Sequence, residues 1–101
     1  MEIRQTKNNN LAVLKLGGRF DFNAHREFKE AYSSLLTDAA IQSLEINLSG
    51  VNYLDSSALG MLLMLRERVG AAGKQVSLSS PNATVVKILE IANFNKLFVI
   101  T

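Results

Sequence analysis

Asp55, Ser56 and Ser57 stand in a row where a short strand-like segment, Val51 to Leu54, meets the apolar run Ala58 to Leu65. A carboxylate and two hydroxyls at such a junction have two uses. They can cap a helix, because their oxygens accept bonds from the free N–H groups of a first turn. Alternatively, one serine can accept a phosphoryl group. A helix start offers unpaired N–H donors and about half a positive charge, so the fold tolerates a phosphate there. The modification would add about −1.5 to −2 charges to a surface patch, which makes it a switch for a partner and not for folding. Asp55 would orient the hydroxyl or add negative charge beside it. This argument does not rank Ser56 against Ser57.

Few other residues offer chemistry. The chain has no cysteine, which excludes a thiol nucleophile, a disulfide framework and a cysteine-based zinc site. The single histidine, His25, falls on the polar side of a predicted helix and reads as solvated. Gly17-Gly18 and Gly70-Ala71-Ala72-Gly73 lack the spacing of a phosphate-cradling loop and read as turns. There is no Gly-x-Ser-x-Gly elbow. A Ser57–His25–Asp55 triad would draw two members from one short turn, a poor basis for the three-way geometry that nucleophilic catalysis needs. The expectation is a binding module with no catalytic activity, cofactor or metal.

The elements that must position the serines follow from periodicity. Glu2 to Lys7 and Leu11 to Leu16 flank Asn8-Asn9-Asn10 and read as a hairpin, because Asn tolerates left-handed backbone angles. Gly17-Gly18 is expected to break the second strand. Ala24 to Leu36 has helical spacing, with Asn23 as its cap. Leu44, Ile46 and Leu48 alternate with Glu45 and Asn47 as a strand that Ser49-Gly50 should end. A second helix is expected over roughly Ser57 to Val69, then a strand over Gln75 to Ser79. Ser80-Pro81 is expected to open a third helix, with Val85, Ile88, Leu89 and Ala92 on its apolar face. Leu97 to Ile100 closes the chain as a strand. Strands alternating with helices predict an α/β fold: one domain over residues 1–101, with a mixed sheet of about four to five strands and helices packed against it.

Winding the second helix at about 100° per residue puts Ala58, Met61, Leu62, Leu65 and Val69 on one broad core face. Leu63 and Met64 then fall on the wetter side, on the flank shared with Ser57 and Gly60. Either a neighbouring helix covers them or they form a partner-docking patch, a use to which flexible Met is suited.

Composition narrows the class of partner. Of 101 residues, 48% are apolar and 20% charged, which is globular and leaves no room for a second domain. Eleven basic and nine acidic residues are scattered without a run, so nucleic-acid binding is not indicated. The longest apolar stretch is far shorter than the roughly 20 residues of a membrane span. No secretory h-region follows Met1, so a cytoplasmic location without membrane insertion is expected.

Three stretches resemble the STAS domain, the module of sulfate transporters and bacterial anti-sigma factor antagonists. Leu16-Gly17-Gly18-Arg19-Phe20-Asp21, with Asn23-Ala24, resembles its turn into the first helix. Leu44 to Gly50 resembles the strand before the switch. Tyr53-Leu54-Asp55-Ser56-Ser57-Ala58-Leu59-Gly60 resembles its phosphorylation motif. The resemblance covers nearly the whole chain and implies a stand-alone domain. It implies an antagonist that binds an anti-sigma factor, a serine-protein kinase of the histidine-kinase-like ATPase type. Phosphorylation of the motif serine ends that binding, and a phosphatase restores it. The acceptor maps onto Ser57, with Ser56 as second choice. Asp55, Ala58 and Gly60 complete the motif, and Asp21 and Asn23 of the resembling turn join Leu63 and Met64 of the helical wheel as the candidate partner-binding residues. Ala58 stands where the family often has Gly, a change compatible with helical angles. The alternative implied role is a STAS subunit that regulates the ATPase of a membrane transporter of the phospholipid-transport type.

Overall fold

A computed structural model describes residues 1–101. Its elements in chain order are β1 (Glu2–Asn8), β2 (Leu11–Phe20), a 3-10 turn (Phe22–Ala24), α1 (His25–Leu36), β3 (Ser43–Leu54), α2 (Ser56–Ala71), β4 (Gln75–Ser79), α3 (Ala83–Ile91), a 3-10 turn (Phe94–Lys96) and β5 (Val99–Ile100). The five strands lie in sequence order in one mixed sheet. β1 runs antiparallel to β2, and the remaining pairs are parallel. The predicted hairpin is present: Asn8 pairs with Leu11, and Asn9 takes a left-handed φ of 57° in the two-residue turn.

One core holds the layers together. Leu14, Leu16, Leu44, Ile46, Leu48 and Leu78 point from the sheet into it. The residues between them on β3, such as Glu45 and Asn47, are only half-buried, as strand alternation requires. Phe28, Tyr32 and Leu35 of α1 are buried, as is the whole face of α2 that the helical wheel assigned to the core. Phe20, Phe28 and Tyr32 pack in series, tilted and then edge-to-face, with ring centroids 5.1 and 5.3 Å apart, holding the end of β2 against α1. Just after α1, the Ala40 N–H and the Lys7 ammonium hold the Asp38 carboxyl below the usual carboxylate range. No helix is long and apolar enough to cross a membrane.

Two strands, β2 and the central β3, are longer than the sequence predicts. β2 runs through Gly17-Gly18 to Phe20, absorbing them as register shifts against β3, with Gly18 at a φ of 90°. β3 runs through Ser49-Gly50 to Leu54. A Cβ on Gly50 would lie 2.9 Å from the Leu16 carbonyl oxygen, so glycine permits a close approach of two backbones here and does not stop the strand.

Two helix starts also differ. Asn23 does not cap α1. Asp21 caps the preceding 3-10 turn, accepting from the Asn23 N–H at 3.0 Å, and α1 begins at His25. Ser80 does not cap α3, and Pro81 is not in its first turn. Ser80 is left-handed at a φ of 55°, and the cap is Asn82, whose side chain accepts from the Val85 N–H and donates to the Val51 carbonyl. Asn82 bonds both to its own helix and to β3, and that second bond is invisible to local pattern.

Candidate functional site

The extension of β2 and β3 builds the site. Phe20 and Leu54 pair at the strand ends, and the Asp55 N–H donates to the Phe20 carbonyl at 3.3 Å. Asp21 and Asp55 therefore follow adjacent parallel strands and leave the sheet side by side. Each caps what comes next. Asp55 is extended (φ −101°, ψ −178°), and its Oδ1 accepts from the Ala58 N–H at 2.8 Å. Helix geometry leaves the N–H groups of Ser56 and Ser57 without intrahelical acceptors. Both serines are exposed, whereas Ala58 is fully buried. α2 thus starts one residue before the predicted Ser57, with Asp55 outside it as the cap. Asp55→Ala is expected to cost about 1 kcal/mol, read as a lowered urea midpoint at unchanged m value.

Seven residues, or about two turns, separate Ser56 from Leu63 and Ser57 from Met64, so each pair lies along one stripe of α2. Leu63 is 39% and Met64 46% exposed. Gly60 lies between them on the same open side, where a Cβ would touch nothing within 4 Å. Met64 borders a small crevice with His25 and Lys29 of α1, so a helix flanks it without covering it. His25 is exposed, as expected. The Asp55 carboxylate is committed to the Ala58 N–H, a cap's arrangement.

Several residues at this end of the molecule were missed by the sequence reading. Phe22 and Tyr53 are exposed, and Ile91 of α3 is 84% exposed. Tyr53, Leu54, Asp55, Ser56 and Leu59 face Ile88, Ile91 and Ala92 across a shallow concavity between the start of α2 and the end of α3. Ser56 lines it and Ser57 does not. Asp21 is half-buried and Asn23 is exposed. The Arg19 Nε pairs with Asp21 Oδ2 at 3.3 Å, and the Arg19 guanidinium lies 4.6 Å over the Tyr53 ring. Tyr53 belongs to the strand-like segment Val51 to Leu54, whose local pattern does not show which of its side chains stay exposed. Ile91 lies off the apolar face of its helix, and a helical wheel of α3 would have found it.

Two acidic caps and two exposed hydroxyls thus gather where β2 and β3 of a five-stranded mixed sheet end. A family model described as "Mlab, STAS domain" matches residues 3–101. The chain belongs to the STAS domain family. A STAS-domain containing protein of Pseudomonas aeruginosa (strain UCBPP-PA14) is 43% identical over 89 residues, 88% of this chain and 86% of the relative. The anti-sigma F factor antagonist of Lysinibacillus sphaericus is 27% identical over 81 residues, 79% of this STAS domain and 68% of that protein. Among solved structures, the anti-sigma factor antagonist SpoIIAA shares the fold in its unphosphorylated form at a TM-score of 0.82 and 19% identity, covering 99% of this chain and 88% of that one. Its phosphorylated form matches at 0.75 and 18%, covering 99% and 91%.

Proposed function

We propose that this STAS domain is an anti-sigma factor antagonist that works by partner switching. In the unmodified state it binds an anti-sigma factor that is also a serine-protein kinase of the histidine-kinase-like ATPase type. The kinase transfers the γ-phosphoryl group of ATP to a motif hydroxyl, ADP leaves, and the complex separates. A cognate phosphatase then restores the binding form. The acceptor is Ser57 by family resemblance. Ser56 is the second candidate, because it lines the concavity with Tyr53 and Ile91. The observation that carries the reading is the pairing of two exposed hydroxyls, left free by a cap that the Asp55 side chain provides, with apolar side chains of the same helix that stay 39% and 46% exposed, Leu63 and Met64. Partner contact extends over Asp21, Asn23, Leu63 and Met64. The names of the Lysinibacillus relative and of SpoIIAA, the latter known in both phosphorylation states, support the same role.

A second reading has one specific observation behind it. The matching family model is described as Mlab and not as an antagonist. On this reading the same surface docks on a membrane transporter's ATPase, and the serines act only as part of a helix start.

Affinity purification from the source cells separates the two readings. The expected result is recovery of a kinase-type ATPase, which with ATP phosphorylates the purified domain at Ser56 or Ser57 and phosphorylates the doubly alanine-substituted domain at neither position. Recovery of a transporter ATPase, with no phosphate on either serine, overturns the first reading in favour of the second.

A further inference from the structure

Arg19 is the one cation that the structure places against the aromatic wall of this site. Its cross-strand partner is Tyr53, its Nε pairs with Asp21, and its guanidinium covers the Tyr53 ring. The arrangement is loosely held, since the Arg19 side chain is 66% exposed and its ion pair spans 3.3 Å. Exposed pairs of this kind hold their geometry weakly. Tyr53 in turn shares the concavity with Ser56. A phosphate added at the helix start would enter a region already bearing two carboxylates, Asp21 and Asp55, and both would repel it.

The geometry points to Arg19 as the residue that receives the switch phosphate, leaving Asp21 and the Tyr53 face to pair with it. This rests on the proposed function, because it assigns a regulatory partner to the same serines. A phosphate dianion attracts a guanidinium more strongly than one carboxylate does, and it presents oxygens that match the planar fork bidentately. The move has consequences beyond charge. Asp21 also accepts from the Asn23 N–H in the turn that carries exposed Phe22, so releasing Arg19 alters the support of two exposed aromatics, Tyr53 and Phe22. Phosphorylation would thereby reshape the docking patch as well as recharge it.

The test needs neither kinase nor partner. Phosphoserine is installed at position 56 or 57 by genetic encoding, and its second ionisation is followed by phosphorus NMR. Free phosphoserine titrates near pH 6, an adjacent cation lowers that value, and Asp21 and Asp55 raise it. At one of the two positions, most simply 56, Arg19→Gln is expected to raise the titration midpoint by about half a unit or more, and Arg19→Lys, which keeps the charge, is expected to restore part of the drop. Arg19 is exposed, and circular dichroism of the Gln variant checks that the fold persists. A midpoint unmoved by Arg19→Gln at both positions overturns the assignment. Absence of phosphorylation in cells would instead sink the proposed function and leave this titration untouched, so the two failures are distinguishable.

Discussion

Ser57→Asp is expected to weaken binding of the anti-sigma factor by about a hundredfold while leaving the melting temperature near that of the parent. Two different environments for one charge lead to this result. In the free domain, position 57 is exposed in the first turn of α2, where the helix terminus favours an anion by about 0.3–1 kcal/mol. Asp55 keeps its bond to the Ala58 N–H, so the cap survives. In a complex whose interface takes in the start of α2, the charge must shed water against the partner. An unpaired buried charge costs several kcal/mol, more than the terminus returns. A net loss of about 3 kcal/mol weakens binding by a little over a hundredfold. Ser57→Ala should hold the binding state, since Ala is a good helix former and adds no charge. Ser56→Ala should have the smaller effect if Ser57 is the acceptor. Titration calorimetry against the purified partner, with a thermal melt of each variant alone, decides the matter. Tight binding by Ser57→Asp, or a collapsed melt, refutes the switch at this position. Weakened binding by Ser56→Asp alone moves the acceptor to Ser56.

The parts of this site that sequence makes legible are those governed by local rules. An Asp-Ser-Ser cluster before an apolar run declares a helix start, because the demand for caps is local. Apolar spacing along α2 assigned its core face without error, because that face is set by the helix's own period. What depended on a second segment was lost. Gly50 looked like a strand breaker, because the Leu16 carbonyl that forbids a Cβ there belongs to a different strand. Extending β2 and β3 past their glycines brings Asp21 beside Asp55, so misreading those glycines concealed the pairing of the two caps. Ser80-Pro81 had the right composition for a helix start, yet the bond from Asn82 to the Val51 carbonyl set the start two residues later. Arg19 over Tyr53 is a cross-strand contact whose register only the sheet fixes.

Adjacent leucines on α2 give the sharpest expected contrast between stability and binding. Leu62 is fully buried and Leu63 is 39% exposed, although they are neighbours in sequence and chemically identical. Leu62→Ala removes side-chain volume from a core cluster that the three helices share with the sheet. Such truncations cost about 2–5 kcal/mol, because lost transfer energy adds to the cavity left behind. For a domain of this size each kcal/mol lowers Tm by about 4–8 °C, so Leu62→Ala should melt at least about 8 °C below the parent. Leu63→Ala opens no cavity and should stay within about 0.5 kcal/mol of the parent. Its effect belongs to the complex. A half-exposed leucine beside a methionine, on the stripes that begin at the two serines, becomes buried only when a partner covers it. Replacing Leu63 and Met64 together by alanine should therefore lower partner affinity by about tenfold or more, the range in which anchor residues of an interface fall. Urea melts of the three variants and the parent, followed by binding titrations of those that fold, separate the two roles. If Leu63→Ala loses as much stability as Leu62→Ala, residue 63 belongs to the core and this stripe of α2 is no docking surface. If the double variant folds and binds like the parent, the partner contacts the domain elsewhere, and a phosphate at the start of α2 would have to act on it through the Arg19–Tyr53 side of the site.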